Sequence, residues 1–293
     1  MEKLVVILGP TSSGKSDLAV ELARAYKGEV VSADSRQVYT RMDLGTGKIT
    51  KKEMKGVPHH LLNIASPKRR FTVAQYQKQA LRVIHQIQKR GNLAFLVGGS
   101  PQYLYSVIDN VVFPEVQPNA VLRKELEKLD MPTLFQRLQD IDPKRAQNIE
   151  AKNKRRLVRA LEINLLTGRP VPSFTQVQNH NALLLGIQLS QDELHKRIML
   201  RLKKRLRQGM IKEIQTLKDS GLSWNRLEEF GLEYRYIARH LQKKISRDEM
   251  ISMLTARIEQ YAKSQRKWFQ RDERIKWITS QKEARRALEL FLD

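Results

Sequence analysis

Short apolar runs in this chain alternate with longer stretches in which apolar residues recur every three or four positions. The apolar runs predict buried strands at residues 4–8, 30–33, 93–97 and 183–189. The periodic stretches predict helices at residues 17–26, 73–90, 154–167, 192–218 and 247–270. Because strands that alternate with helices pair side by side through helical crossovers, the pattern predicts an α/β fold with a parallel sheet flanked by helices.

A charged segment interrupts this alternation between residues 113 and 181. Its polar and apolar positions have helical spacing, and prolines punctuate it at Pro114, Pro118, Pro132, Pro143, Pro170 and Pro172. We therefore predict an α/β core formed by residues 1–112 and 182–293, with residues 113–181 inserted as an all-helical module.

A motif with defined chemistry follows the first predicted strand. Residues 9–16 read Gly-Pro-Thr-Ser-Ser-Gly-Lys-Ser and lead into a predicted helix, which is the context of a phosphate-binding loop. Its two glycines allow successive N–H groups to approach an anion at the positive end of the helix dipole. Lys15 can reach terminal phosphates and Ser16 can bind Mg²⁺. The sequence therefore predicts a P-loop NTPase-like core, Mg²⁺ as cofactor, and a bound diphosphate or triphosphate. The predicted phosphate-binding residues are Gly9, Pro10, Thr11, Ser12, Ser13, Gly14, Lys15 and Ser16.

The charge of the chain points to a second, polyanionic partner. Lysine and arginine number 54 against 31 aspartate and glutamate residues, which gives a formal net charge of +23. Nucleic acid is favoured over an acidic membrane, because the sequence has neither a spanning apolar run nor a basic helix with a continuous apolar face. The absence of cysteine excludes disulfides and thiolate metal sites. Since the first strand begins at once, we expect a cytoplasmic protein without a signal peptide, and we expect a monomer.

Polar residues follow two more predicted strands. The carboxyl ends of parallel strands line the ligand crevice, so Asp34 after one strand and Ser100 after another are expected near the phosphate loop. Asp34 could bind Mg²⁺, act as a general base or cap the next helix. Gly98 and Gly99, which precede Ser100, could let the backbone approach a ligand or could form an ordinary turn.

A basic cluster at residues 152–159 lies in the predicted inserted module. Arg155, Arg156 and Arg159 share one flank of the predicted helix at spacings of three and four residues. These guanidinium groups could make bidentate contacts to phosphate, or they could form a solvated basic face.

A second basic cluster at residues 261–271 mixes cations with aromatic residues, a combination that suits RNA. Lys263, Arg266 and Arg271 are its candidate phosphate contacts. Trp268 and Phe269 are expected to be core residues of a final helix.

Seven segments of the sequence, taken in order, resemble the tRNA dimethylallyltransferase family from Lys3 to about Trp277. They lie at residues 9–16, 34–39, 42–48, 58–62, 97–100, 155–162 and 261–265. The resemblance implies transfer of a dimethylallyl group from dimethylallyl diphosphate to N6 of the adenosine 3′-adjacent to the tRNA anticodon, with magnesium and release of diphosphate.

The same resemblance implies roles for individual residues. Asp34 would accept a proton from the adenine amine, Lys15 would stabilise the departing diphosphate, and Ser100 would contact the target nucleotide where the family usually has threonine. The residues that it implies for tRNA binding are Asp34, Ser35, Arg36, Gln37, Ser100, Arg123, Arg155, Arg156, Arg159, Lys263 and Arg266.

The chain departs from the family pattern at several positions. Residues 230–235 replace the usual Ile-Gly-Tyr-Lys-Glu, and Glu259 and Ser264 stand where arginines are usual. We interpret these changes as marks of a divergent subfamily. A P-loop kinase or NTPase, an RNA-binding protein with a vestigial loop and an isopentenyltransferase acting on free adenine nucleotides would share parts of the pattern.

Overall fold

The structure is a computed structural model that describes residues 3–114, 116–171 and 181–293. It separates into two compact units. We call Met1–Asn110 with Gln178–Asp293 the sheet unit, and Val111–Val177 the helical unit. The helical unit overlaps the predicted inserted module, residues 113–181.

The sheet unit is built on a parallel sheet, which confirms the predicted fold class. Its strands in the described residues are β1 (Lys3–Leu8), β2 (Gly28–Ala33), β3 (His59–His60), β4 (Leu93–Gly98), β5 (Asn181–Ile187) and β6 (Ile275–Ile278). They lie in the order β3-β2-β4-β1-β5-β6, and every pairing is parallel. The predicted strand at residues 183–189 was placed too far along the chain, because β5 begins at Asn181 and ends at Ile187.

Helices account for most of the remaining described chain. In chain order they are α1 (Lys15–Ala25), α2 (Lys51–Met54), α3 (Val73–Lys89), α4 (Pro101–Ile108), α5 (Ala120–Lys128), α6 (Met131–Ile141), α7 (Pro143–Gln147), α8 (Lys154–Thr167), α9 (Gln191–Arg207), α10 (Met210–Asp219), α11 (Trp224–Glu229), α12 (Leu232–Leu241), α13 (Arg247–Phe269) and α14 (Gln281–Leu292). Among the described residues, none of these helices combines the length and apolar composition that a membrane span requires.

The prediction of one helix over residues 192–218 is wrong. The chain forms α9 and α10 instead, and Gly209 between them has a φ of 99°. This left-handed conformation interrupts the helical backbone, and glycine adopts it without a steric penalty. The apolar periodicity runs through the break, which is why the pattern alone predicted a continuous helix.

Side chains of β1 alternate between two apolar layers, so helices cover both faces of the sheet. Leu4, Val6 and Leu8 belong to the larger core, which also contains residues of α3, α4 and α9 to α13. Val5 and Ile7 point to the opposite face, where α1 and α14 pack. Burial on both faces explains why the strands read as continuous apolar runs rather than as alternating patterns.

The helical unit has a core of its own. Buried leucines of α5, α6 and α8 pack together there. The helix α8 has the predicted bounds because both ends carry strong local signals. The Asn153 side chain accepts a hydrogen bond from the Arg156 amide at the start, and Gly168 ends the helix with a φ of 64°.

Candidate active site at the carboxyl edge of the sheet

Three loops that carry predicted site residues leave the sheet side by side. Leu8 of β1 and Ala33 of β2 both lie opposite Gly98, the last residue of β4. The phosphate loop, the turn at Asp34 and the segment at Ser100 therefore begin at the same level of the same edge. A Cβ atom on Gly98 would lie 2.1 Å from the carbonyl oxygen of Ala33, so only glycine allows the two strands to approach here.

The loop at residues 9–16 forms a cradle at the start of α1. Gly14 has a φ of 91°, and Lys15 is the first residue of the helix, so the unpaired N–H groups of the first turn open into the loop. The Ser13 hydroxyl is buried and has no hydrogen-bond partner among the described residues. Free amide groups and an unpaired buried hydroxyl are donors suited to an anion.

Lys15 lies inside this cradle. Its Nζ donates to the carbonyl oxygen of Pro10 at 3.0 Å. Burial lowers the pKa of Lys15 to about 8, with a further contribution from the positive charge of Arg201, while the charge of Asp34 opposes the shift. A bound diphosphate would give this desolvated ammonium group a negatively charged partner.

Three arginines on α9, which were not predicted as site residues, form a row beside the phosphate loop. Arg197 Nη1 donates to the Ser13 carbonyl at 3.3 Å, and Arg201 Nη2 donates to the Gly47 carbonyl at 2.9 Å. Burial and the neighbouring charge of Arg205 lower the pKa of Arg201. The spacing of four residues was visible in the sequence, but this stretch was predicted only as a helix, and the loops that the arginines contact lie far away in the chain.

Arg205 completes the row and holds the loop at residues 43–48. It is 8% exposed and donates to the carbonyl oxygens of Leu44 and Gly45. Glu233 forms an ion pair with it at 2.9 Å. The α9 row thus extends from the phosphate loop to the neighbouring loop.

The Asp34 carboxylate uses only one of its oxygens within the chain. Its Oδ1 accepts hydrogen bonds from the backbone amides of Arg36 at 2.8 Å and Gln37 at 3.2 Å. Within the described ranges, Oδ2 makes no hydrogen bond. The helix-capping interpretation of Asp34 is wrong, because a turn follows β2 and the next helix, α2, is capped by Thr50. Oδ1 instead closes this turn, and Oδ2 remains available at the carboxyl edge of the sheet.

Ser100 lies against the Asp34 turn. Its hydroxyl is nearly buried and accepts a hydrogen bond from the Ser35 amide at 3.1 Å. The phenol of Tyr261, on α13, lies near Ser100. Although the side chain as a whole is 36% exposed, desolvation raises the pKa of its phenol to about 12, and the charge of Asp34 adds to the shift. Tyr261 was within a segment singled out in the sequence, but its position beside Ser100 was not predicted.

The side chains that follow Asp34 have defined partners. Ser35 Oγ is 3.4 Å from the Ser100 hydroxyl, and the Arg36 guanidinium lies 5.7 Å from the centre of the Phe230 ring. Gln37 Nε2 donates to the Gly47 carbonyl at 3.3 Å. All three side chains are only partly buried, so they remain accessible at the edge of the sheet.

The basic residues of α13 have different degrees of exposure. Lys263 is exposed, whereas Arg266 is partly buried and lines a small cavity of about 120 Å³ with Pro10 and Trp277. Trp268 is 41% exposed and packs against the Tyr105 ring, so the prediction of a core position for it is wrong.

Phe269 and Arg271, which follow Trp268 in the chain, differ in burial. Phe269 is fully buried, as predicted. Arg271, just beyond the end of α13, is exposed.

In the helical unit, two of the four candidate arginines bind an internal carboxylate. Glu162 is fully buried and accepts hydrogen bonds from Arg123 at 2.7 and 2.8 Å and from Arg159 at 2.5 Å. Burial alone would raise the pKa of Glu162, but these hydrogen bonds outweigh it and lower the pKa. Arg155 and Arg156 are exposed, and Arg156 has only a 3.4 Å ion pair with Glu150.

A magnesium ion at this site would depend on oxygen atoms of the ligand. The described residues contain no cluster of histidine, aspartate and glutamate that could hold a metal by itself. Ser16 is exposed at the start of α1 and can offer its hydroxyl. This sparse donor set fits Mg²⁺, which is commonly held by one or two protein ligands together with substrate phosphates and water.

A parallel sheet whose first strand leads through this cradle into a helix defines a P-loop α/β protein. Comparisons with known proteins narrow the class. The family model for IPP transferases matches residues 37–272. The tRNA dimethylallyltransferase 1 of Syntrophus aciditrophicus is 44% identical over 289 residues, which cover 95% of this chain and 94% of the relative. The tRNA dimethylallyltransferase 1 of Geotalea daltonii is 43% identical, with 94% and 90% covered.

Solved structures agree with this result. A tRNA isopentenylpyrophosphate transferase from Bacillus halodurans superposes with a TM-score of 0.74 at 35% identity, covering 100% of this chain and 95% of that one. A eukaryotic dimethylallyltransferase described as acting on tRNA gives a TM-score of 0.80 at 26% identity, covering 92% of this chain and 70% of that one. The chain belongs to the IPP transferase family.

Proposed function

We propose that this protein is a tRNA dimethylallyltransferase. It transfers the dimethylallyl group of dimethylallyl diphosphate to N6 of the adenosine 3′-adjacent to the anticodon and releases diphosphate. The observation that supports this most directly is the meeting of the phosphate loop, Asp34 and Ser100 at one edge of the sheet. The relatives named above carry the same activity in their names.

The phosphate loop would bind the donor and stabilise its leaving group. Cleavage of the allylic C–O bond leaves negative charge on the diphosphate and positive charge on the prenyl fragment. The amides of the loop, the Lys15 ammonium and the guanidinium groups of Arg197 and Arg201 are positive groups at this end of α1. Mg²⁺ held by Ser16 would add to the neutralisation of the diphosphate.

The Asp34 turn would bind the acceptor. As the new C–N bond forms, the adenine amine must lose one proton, and the free Oδ2 of Asp34 can accept it before releasing it to water. Ser100 and Tyr261 would position the target base by hydrogen bonding. Because Oδ1 is held by two backbone amides, the direction of Oδ2 is fixed before the substrate binds.

Exposed basic residues in each of the two units would bind the tRNA. The exposed Arg155 and Arg156 of α8 and the exposed Lys263 of α13 are suitable phosphate contacts. The target base must leave its stack to reach the site, at a cost of a few kcal/mol that these contacts must offset. A tRNA substrate implies a cytoplasmic location. The expected monomer stays a prediction.

The experiment is a comparison of acceptors and donors followed by mass measurement of the products. We expect dimethylallyl diphosphate and tRNA to give an RNA product heavier by one prenyl group, and AMP to give none. Prenylated AMP would identify an enzyme of free nucleotides, and ATP hydrolysis without prenylation would identify an NTPase. Lys15→Ala is the control, because it should abolish transfer while leaving tRNA binding largely intact.

A further inference from the structure

One buried carboxamide connects the phosphate loop with the loop that carries Ser100. Gln265 lies on α13 and is 4% exposed. Its Oε1 accepts a hydrogen bond from the backbone amide of Thr11 at 2.9 Å, and its Nε2 donates to the carbonyl oxygen of Gly99 at 2.5 Å. The two partners fix the orientation of the carboxamide, because an N–H group requires the oxygen and a carbonyl requires the NH₂ group.

The backbone around this side chain is shaped to admit it. A Cβ atom on Gly99 would lie 2.5 Å from Gln265 Nε2, so any other residue there would displace the carboxamide. Gly99 is therefore required by the packing of Gln265, whereas Gly98 is required by the close approach of β2 and β4. The Thr11 amide donates to Gln265, although the sequence predicted that every residue of the loop binds phosphate.

The two ends of the connection lead directly to the groups proposed to react. Thr11 belongs to the loop that contains Lys15, and Gly99 immediately precedes Ser100. One turn earlier on α13, Tyr261 lies near Ser100. A single helix therefore lies against both loops, and Gln265 forms hydrogen bonds to both of them.

We propose that Gln265 is a positioning residue that sets the separation between the diphosphate donor and the adenine acceptor. The inference rests on the proposed function. Displacement at carbon requires the reacting atoms to be about 3–3.5 Å apart and aligned, and a misplacement of about 1 Å can cost about 10²-fold in rate. Gln265 acts through the backbone of the two loops, so its loss changes the alignment of the reactants more than the affinity for either one.

The first test compares Gln265→Met with the wild-type protein. Methionine has similar length but cannot make either hydrogen bond. We expect the single-turnover rate at saturating substrates to fall by about 10- to 100-fold. The dissociation constants for inorganic pyrophosphate and for an anticodon stem-loop RNA should each stay within about threefold, since the carboxamide is buried and both of its polar atoms already bond to the backbone. Loss of pyrophosphate binding in proportion to the rate would overturn the proposal, because Gln265 would then support only the phosphate loop.

A matched control comes from the same helix. Gln260 is exposed and accepts a hydrogen bond from Arg257, so Gln260→Met removes a carboxamide from α13 without affecting either loop. The Gln260→Met variant should transfer the prenyl group at close to the wild-type rate.

Amide hydrogen exchange at Thr11 adds a readout independent of catalysis. Exchange should accelerate in Gln265→Met and not in Gln260→Met, and unchanged protection of Thr11 would contradict the connection itself.

A double-mutant cycle with Ser100→Ala separates positioning from general support of the fold. If Gln265 acts by positioning Ser100, Gln265→Met should lower the single-turnover rate by a much smaller factor in the Ser100→Ala background than in the wild type. Equal factors in the two backgrounds would overturn the positioning role. Pyrophosphate binding by a wild-type protein that prenylates no RNA would instead count against the proposed function, and the Thr11 exchange measurement would still test the connection.

Discussion

Asp34 divides two tasks between its two carboxylate oxygens. Oδ1 accepts hydrogen bonds from the amides of Arg36 and Gln37, and Oδ2 remains available at the edge of the sheet. The sequence offered helix capping and general-base catalysis as alternatives for this residue. The structure replaces the helix cap by a turn, and the hydrogen bonds of this turn orient the oxygen that the base would use.

Asp34→Asn tests the base without disturbing the turn. The asparagine oxygen can accept the same two amide hydrogen bonds, but the side chain is no longer basic. We expect the single-turnover rate of prenyl transfer to fall by roughly 10²–10⁴, as is typical of a lost general base. Thermal stability and RNA affinity should stay near wild type. A rate close to wild type would mean that Asp34 only stabilises the turn after β2.

Lys15 should give the reaction a pH dependence on the alkaline side. Its pKa is lowered to about 8, so in the free enzyme the ammonium charge is present below that pH and lost above it. We expect kcat/KM for dimethylallyl diphosphate to fall above about pH 8. Lys15→Arg keeps its charge through this range, so any activity that it retains should lack this alkaline limb. A limb that persists in Lys15→Arg would assign the titration to another group.

At the level of elements, α8 is both a structural helix and a candidate RNA surface. Its inward side carries Glu162, which binds Arg123 and Arg159, while Arg155 and Arg156 are exposed. The sequence grouped Arg155, Arg156 and Arg159 by their spacing. Their separation into structural and exposed residues depends on Glu162 and Arg123, which spacing on one helix cannot reveal.

Glu162→Gln should weaken the helical unit. It leaves two guanidinium groups facing a neutral amide, and the loss of hydrogen bonds to charged groups predicts a destabilisation of about 2–3 kcal/mol. The free energy of local opening, measured by amide hydrogen exchange in α8, reports this change. Glu150→Gln is the matched control, because its exposed ion pair with Arg156 should contribute less than about 1 kcal/mol.

The effect of Glu162→Gln should also depend on pH. The folded-state pKa of Glu162 lies below its ordinary value of 4.5, so the stabilisation is present at neutral pH and is lost as the pH falls through the folded-state pKa. The difference between wild type and Glu162→Gln should therefore narrow in acid. A difference independent of pH would mean that packing rather than charge accounts for the loss.

Elements with strong local signals were predictable, and contacts between distant elements were not. The bounds of α8 were predicted from its helical pattern and from the stop signals Gly168 and Pro170, whereas β6 was missed because a four-residue strand containing Lys276 has little apolar pattern. The phosphate loop and Asp34 were found because each directly follows a strand. The bonds of Gln265 were not predictable, because they join residues far apart in the chain.

At the scale of the whole molecule, the net charge of +23 should make tRNA binding strongly dependent on salt. Arg155→Ala and Arg156→Ala should each lower the magnitude of the slope of log K against log salt by roughly 0.7–0.9 if each arginine contacts one phosphate. Arg159→Ala should change the slope less, because Arg159 is partly buried and its guanidinium group is held in an ion pair with Glu162. Unchanged slopes in the first two variants would assign α8 to a solvated basic face.

The central position of β1 in the sheet has a consequence for synthesis of the protein. Leu4 pairs with Ala94 of β4 and with Ala182 of β5, so β1 leaves the ribosome before both partners and gains the second one only after β5 has followed. Pairings between such distant segments close slowly because the entropy of a long loop must be lost first. Nascent chains that stop before residue 181 therefore expose an unpaired edge of β1 next to the phosphate loop. We expect such chains to depend on chaperones and to acquire pyrophosphate binding only once β5 is available.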